Sequence, residues 1–349
     1  MILNINKKLK IGNNKRTLII AEVSANHCGS KKNFINHILK ANEYGADLVK
    51  IQTYEPEDMI VNKKFKIKKG LWKGKNLWDL YKKAQTPFDW HHDAFKLAKK
   101  HGIELFSTPF SLRALKFLSN FKPNIYKIAS FELTDHRLIN EIAKKKKPII
   151  MSTGLSSISE VNAALKIIRR YHNKIILLYC VSGYPTPLED INFKNIEKIR
   201  TNTKVELIGF SDHTKGIDAS VASLSHKVKL IEKHFTIKRN TSSPDSSFSI
   251  TPNELKNLKE MTIKMDKIYN SKKTNPISEN SSKIFRRSIY SIKDIKKKEV
   301  FNNENIACYR PNVGISSDKY FKILGKKAKK SIKKNTPLTN KMFWLAYIV

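Results

Sequence analysis

The sequence predicts an α/β fold, a TIM (β/α)8 barrel followed by a small β-rich module. Three observations predict it. Eight short apolar runs rich in β-branched residues recur between Thr17 and Ile237, and segments of helical periodicity separate them. A polar stretch with a proline then divides the last helix from a tail of short β-like pieces.

The runs are TLIIAEVS (17–24), LVKIQTY (48–54), ELFSTPF (104–110), IYKIASF (125–131), PIIMSTG (148–154), IILLYCVS (175–182), ELIGFSDH (206–213) and LIEKHFTI (230–237). Their near-continuous apolar character suits parallel strands covered on both faces better than antiparallel alternation. A doubly wound open sheet is the structural alternative. After the fifth run, Ser157 and Glu160 form a capping box ahead of Val161, Leu165 and Ile168 at helical spacing. After the eighth, Thr251 is the N-cap, Pro252 stands in the first turn, Glu254 is the third helical residue, and the helix ends near Asn270. One long insertion, roughly residues 55–87, follows the second strand. Residues 271–283, SKKTNPISENSSK, lack apolar periodicity and read as a linker between a barrel at 1–270 and a module at 284–349.

The formal net charge of +37 raises the nucleic-acid-binding class. Only ten of the 67 basic residues are Arg, and the lysines spread over the whole length. KKKK at 144–147 sits where a helix should end, a favourable place for cations. The expectation is therefore a solvated surface that attracts anionic substrates, with no nucleic-acid partner. No apolar run approaches the ~18 residues that span a bilayer. The start MILNINKKLK lacks the pattern of a secretory signal, and the tail FWLAYIV is too short to anchor, so no membrane partner is expected. Cys28, Cys180 and Cys308 are widely spaced without CxxC pairing, which argues against a disulfide framework or thiolate zinc site and for the reducing cytoplasm.

In a TIM barrel the reacting groups come from the C-terminal ends of the strands. There the runs carry Glu22, Lys50 with Gln52, Thr108, Lys127 with Ser130 and Glu132, Ser152, Ser182 with Tyr184, Ser211 with His213, and Lys233 with His234. Lysines among hydroxyls suit a small multiply charged anion, which points to a phosphorylated acid. His213 and His234 end neighbouring strands, so their imidazoles can converge on one divalent ion and leave positions open for water or a substrate oxygen. The bland alternative for each is a histidine satisfied by structural hydrogen bonds. Strand alternation sends Lys233 to the opposite face, toward a structural role. His91 and His92 lie at a helix start and read as packing or surface residues. Asn26 and His27 follow the first strand in a loop expected at the mouth, and Cys28 beside them lacks a base partner.

At this point the motifs AEVSANHCG, VKIQTY, FSTPF, YKIASFE, PIIMSTG, YCVSGYPTPLED, GFSDHT, IEKHFT and SPDSSFS resemble, in order, those of the bacterial sialic acid synthase family. RRSIYSIKDIKKKEV, RPNVGI and LGKKAKKSIKKNTPL resemble that family's C-terminal SAF, or antifreeze-like, β-clip domain, so the resemblance covers nearly the whole chain. It implies condensation of phosphoenolpyruvate with an N-acetylated aldose to a nine-carbon 2-keto acid and phosphate. It implies a divalent ion, Mn2+ with Mg2+ or Co2+ as alternatives, held by His213 and His234 against the sugar's aldehyde oxygen. Phosphoenolpyruvate would be bound by Thr108, Lys127, Ser130, Ser152, Ser182 and Ser211. Catalytic carboxylates would be Glu22 and Glu132, and the sugar would meet Lys50, Gln52, Tyr184 and Asp245. Arg310 matches an arginine that the family's SAF domain inserts into the partner's site, which implies a domain-swapped homodimer.

Within the family, GLWKGKNLWDLYKKAQTPFDWH, Phe131 in KIASFE, and PDSSFS resemble the pseudaminic acid synthase branch, which takes 2,4-diacetamido-2,4,6-trideoxy-altrose. The sialic and legionaminic acid branches, using N-acetylmannosamine or a diacetamido-trideoxy-mannose, are the alternative. Ser243 and Lys298 stand where the family commonly has glycine; the first is expected to alter a loop near Asp245. Competing classes are a phosphoenolpyruvate-using barrel acting on a phosphorylated sugar, and a non-catalytic carbohydrate or nucleic-acid binder.

Overall fold

A computed structural model describes residues 2–239, 243–271, 274 and 276–344. A hairpin of β1 (Ile2–Asn4) and β2 (Lys10–Gly12) precedes eight parallel strands. These are β3 (Leu18–Glu22), β4 (Leu48–Thr53), β5 (Leu105–Pro109), β6 (Tyr126–Ile128), β7 (Ile149–Ser152), β8 (Ile175–Cys180), β9 (Ile208–Asp212) and β10 (Leu230–His234). Each pairs with the next, and β10 returns to pair with β3, with His234 opposite Glu22. The sheet therefore closes, as the eight repeated units anticipate, and the open-sheet alternative falls.

Helices cover the outside: α1 (Lys31–Glu43) after β3, then α2 (Pro56–Met59), α3 (Leu77–Ala84) and α4 (Phe88–His101) after β4. One helix then follows each strand from β5 to β10: α5 (Leu112–Ser119), α6 (His136–Ala143), α7 (Ile158–Arg169), α8 (Lys194–Thr203), α9 (Asp218–Ser223) and α10 (Pro252–Tyr269). The expected capping box at Ser157 forms, and the expected N-cap Thr251 makes a second one with Glu254. Glu160 N donates to Ser157 Oγ at 3.2 Å while Ser157 N donates to the Glu160 carboxylate at 2.7 Å, and Thr251 N donates to Glu254 at 2.7 Å. No helix among the described residues is long and apolar enough to cross a membrane.

Strand periodicity of two explains how the barrel interior changes character along its axis. Leu18 and Ile20 pack inward and Glu22 continues that face, whereas Ile19 and Ala21 pack with the outer helices. The same inward series reads Leu48 then Lys50, Ile150 then Ser152, and Leu230 then Glu232 and His234. Apolar at the N-terminal ends and polar at the C-terminal ends, these rows place every charge at one mouth. The N-terminal hairpin, for which the sequence analysis has no prediction, has a clear job: Leu3, Ile5 and Ile11 join the inward apolar layer and close the opposite end.

The second compact unit spans Ser271–Val349 and has its own core of Ile289, Ile295, Phe301, Ile306, Ile332 and Leu338, among others. Antiparallel β11 (Ser288–Ser291) and β12 (Ile306–Tyr309) pair in it, and a short helix, α11 (Tyr320–Ile323), follows. The stretch expected as a linker holds 3-10 turns at Ile277–Glu279 and Ser281–Phe285; its residues 272, 273 and 275, like 345–349 of the apolar tail, lie outside the described residues. Lys298 has φ +71°, a left-handed conformation that glycine would adopt without the cost of a Cβ, about 1 kcal/mol.

Candidate active site

The inward polar rows meet in a buried constellation of alternating charge. Lys50 from β4 pairs with Glu22 of β3, and its Nζ lies 3.7 Å from Glu232 Oε1 on β10. Lys127 from β6 is also 3.7 Å from Glu232 Oε1, and it donates to Ser152 Oγ of β7 at 2.7 Å. Ser211 of β9 donates to the same Glu232 oxygen at 3.2 Å. Burial opposes the charge on Glu232, but Lys127 and Lys50 outweigh it and hold this carboxyl below its usual range. Burial likewise works against Lys50, yet Glu22 and Glu232 keep its pKa raised, so it stays an ammonium. Lys127 is lowered, by burial first. Glu22 is pushed up to about 7 by burial, with Lys50 pulling the other way.

Beside this cluster stand the two histidines, ring centroids 5.5 Å apart. His213 Nδ1 lies 2.9 Å from Val181 O, an acceptor only, so this nitrogen carries a proton; burial opposes charge on the ring, but Cys180 and the Val181 carbonyl outweigh it and raise its pKa. His234 Nδ1 is buried with no hydrogen-bond partner among the described residues, 3.9 Å from Asp245 Oδ2. Burial, then neighbouring His213, hold His234 well below the usual imidazole range, leaving it neutral. Rings pack around both: Tyr184 lies 4.4 Å from His213 and Phe248 4.9 Å from His234. Imidazoles whose nitrogens are oriented by a carbonyl or left without a partner among the described residues fit a divalent cation. Among the described residues no set of three or more His, Cys, Asp or Glu is arranged to hold one.

A model of the NeuB family matches residues 37–274, and one of the SAF domain matches 286–343. The chain belongs to the NeuB family. It is 40% identical over 333 residues to a pseudaminic acid synthase of Campylobacter jejuni, covering 93% of this chain and 96% of that one. A pseudaminic acid synthase of Helicobacter pylori is 41% identical over 329 residues, with coverages of 92% and 96%. Among solved structures, an N-acetylneuraminic acid synthetase from Leptospira borgpetersenii, in complex with citrate, superposes with a TM-score of 0.72 at 30% identity, covering 81% of this chain and 95% of that one. This agrees with the sialic acid synthase resemblance of the motifs.

Of the residues that the family resemblance singles out, Lys50, Gln52, Lys127, Ser130, Glu132, Ser152, Tyr184, Ser211, His213, His234 and Asp245 line one cavity at the mouth. Three stand behind its wall. Glu22 lies under Lys50, Thr108 Oγ1 is 3.4 Å from Lys50 Nζ, and Ser182 abuts Gly154. A Cβ at Gly154 would come within 2.3 Å of Ser182 Oγ and 2.8 Å of Ser130 Oγ, so glycine here lets two hydroxyls approach one strand end. Glu132, in a 3-10 turn after β6, is pushed up to about 7 by burial, with Lys127 opposing. Arg310 belongs to the second unit, exposed, with Nε donating to Phe285 O.

Other expected placements are plain. Lys233 faces outward, buried against Asp212 Oδ2 at 2.9 Å and Thr214 O at 2.5 Å, the structural role that alternation assigns it. His91 bonds Thr53 Oγ1 at 2.7 Å in the barrel wall. His27 is not a mouth residue: its ring is buried edge-on against Phe34 and Trp90, because the 3-10 turn after β3 tucks it beneath α1 and α4. Ser243 ties down the loop near Asp245, its hydroxyl donating to Asn26 Oδ1 at 2.7 Å.

Three further sets of residues line the cavity. Glu232 is two positions before His234 on the same inward face, so the alternation that displaces Lys233 also points to it. Ser24 bonds both Asp245 and Gln52, the latter at 2.9 Å, linking β3, β4 and the loop after β10. The insertion supplies Met59, Trp72, Leu77, Leu80 and Tyr81 as an apolar wall. Trp72, Leu77, Leu80 and Tyr81 fall within the stretch that resembles the pseudaminic acid synthase branch, but nothing in their spacing points to the mouth until the insertion folds over it.

Proposed function

We propose that the protein is a pseudaminic acid synthase, condensing phosphoenolpyruvate with 2,4-diacetamido-2,4,6-trideoxy-altrose and water to give pseudaminic acid and phosphate. The observation that carries this is a single cavity that unites a lysine-and-hydroxyl floor with two imidazoles 5.5 Å apart. Identity of 40–41% to enzymes of that name supports the branch.

Lys127 and Lys50, braced by Glu232, neutralise the phosphate and carboxylate of phosphoenolpyruvate, and Ser130, Ser152 and Ser211 donate hydroxyls to its oxygens. Thr108 and Ser182 support this floor from behind. A divalent ion, Mn2+ in our proposal, held by His213 and His234 supplies Lewis-acid polarisation of the aldehyde oxygen when bound. C3 of phosphoenolpyruvate bonds to the aldehyde carbon, water adds at C2, and C–O cleavage of the resulting tetrahedral centre releases phosphate. Glu132, poised near neutral pH, moves a proton at the reacting carbons. Glu22 acts through the Lys50 ammonium it touches. Lys50, Gln52, Tyr184 and Asp245 hold the sugar, and Arg310 enters this site from a partner copy, making the working unit a domain-swapped homodimer. The barrel of residues 1–270 thus carries the chemistry and the module at 284–349 completes it, in a cytoplasmic setting.

The test is phosphate release from phosphoenolpyruvate with each candidate sugar. Turnover is expected with the diacetamido-trideoxy-altrose. Preference for N-acetylmannosamine or the manno isomer would overturn the branch, and turnover of erythrose 4-phosphate or arabinose 5-phosphate would overturn the substrate class.

A further inference from the structure

Trp72 sits in the insertion after β4, and its ring lines the cavity. It lies 5.7 Å from the Tyr184 ring at an interplanar angle of 36°, and Tyr184 in turn lies 4.4 Å from His213. One aromatic ring therefore separates the indole from the histidine pair. The indole Nε1 is buried and has no hydrogen-bond partner among the described residues. An indole nitrogen is a donor only, and a buried donor without an acceptor is costly, so a ring kept here for packing alone would be better served by Phe. A molecule that enters the cavity can supply the missing acceptor.

The surroundings narrow its chemistry. Met59, Leu77, Leu80, Tyr81 and Ala84 are the other insertion residues on this wall, whereas the ammonium groups of Lys50 and Lys127 come from barrel strands. A neutral carbonyl carrying a methyl group matches a lone donor set in an apolar wall better than a carboxylate or phosphate does. An acetamido group is such a unit. With the aldehyde end of the sugar at His213 and His234, the acetamido group at C2 lies nearest the histidines and the one at C4 lies farther along the chain. The separation imposed by Tyr184 selects the farther one.

We propose that Trp72 is a specificity-determining residue that recognises the 4-acetamido group of the sugar, its N–H donating to the carbonyl oxygen while the insertion wall encloses the methyl. This rests on the synthase function proposed above. The test compares 2,4-diacetamido-2,4,6-trideoxy-altrose with the same sugar bearing a 4-hydroxyl, in the full-length enzyme and in Trp72→Phe, which keeps an aromatic ring and removes the donor. The variant should raise KM for the diacetamido sugar about tenfold, lower discrimination between the two sugars by about the same factor, and leave KM for phosphoenolpyruvate unchanged. Trp72→His, which restores an N–H, should recover part of the discrimination. Unchanged discrimination in Trp72→Phe, or an equal loss toward both sugars and phosphoenolpyruvate, overturns the proposal. Wild-type enzyme that leaves the diacetamido sugar unconverted overturns the synthase function itself, and is seen before any variant is made.

Discussion

His213 and His234 bring their imidazoles to a centroid separation of 5.5 Å from the ends of two adjacent strands, β9 and β10. Val181 O fixes the tautomer of the first, and the second keeps an orphaned nitrogen. Replacing either by Ala should lower metal-dependent turnover by roughly a thousandfold, since Lewis-acid stabilisation is worth several kcal/mol. The circular dichroism spectrum and thermal unfolding should stay near wild type. Full activity in either variant would remove the metal role.

Lys127 is fully buried and shares Glu232 with Lys50. Lys127→Met should raise KM for phosphoenolpyruvate by roughly thirtyfold or more and lower stability by about 3 kcal/mol, because one of the two cations that compensate Glu232 is gone. Adding Glu232→Gln should restore part of the stability but none of the substrate affinity. Urea unfolding together with steady-state kinetics reads both. A double variant as unstable as the single one would argue against the shared-charge account.

Glu132 has its pKa raised by burial from 4.5 to about 7. Between those values the unfolded chain has released a proton that the folded chain keeps, so this group's contribution to stability is complete below about pH 4.5 and is lost as pH rises through 7. Glu132→Gln lacks that loss. Its stability relative to wild type should climb between pH 5 and 7.5, by about 2 kcal/mol, and then level off. The acidic or basic limb of the pH–rate profile near 7 should vanish with it. A pH-independent difference in unfolding midpoints would refute the shift.

Arg310 lies in the second unit, outside the barrel that carries the lysines and histidines. Arg310→Ala should weaken use of the sugar with little change toward phosphoenolpyruvate. Mixing Arg310→Ala with His234→Ala protein and allowing subunit exchange should return about a quarter of wild-type activity, because half the dimers then hold one intact composite site. No gain on mixing would eliminate the exchange of domains.

Much of the site is legible because a strand is a local, two-residue repeat. Glu22, Lys50, Lys127, Ser152, Ser211 and His234 each stand at or next to the C-terminal end of an apolar run, and barrel closure turns those ends toward one mouth. Lys233 reads correctly as structural for the same reason. Glu232 escapes notice although the same rule reaches it, since a carboxylate next to a Lys-His pair looks like a solvent-facing residue until its two cationic neighbours are known. His27 misleads in the other direction: a polar residue after a strand end is taken for a mouth group, and packing against Phe34 and Trp90 decides otherwise.

The sequence by itself determined the number of strand–helix units, their caps, the separate C-terminal module and the residues offered to chemistry, because each is encoded in local periodicity, turn residues or motif order. Only the tertiary structure decided which of those residues share a cavity and which stand behind it. It also decided that the hairpin of β1 and β2 closes the far end, that the insertion forms an apolar wall, and that burial draws Glu22 and Glu132 toward neutral pH. These depend on distances between groups far apart in the chain and on the loss of water around them, which no local pattern records.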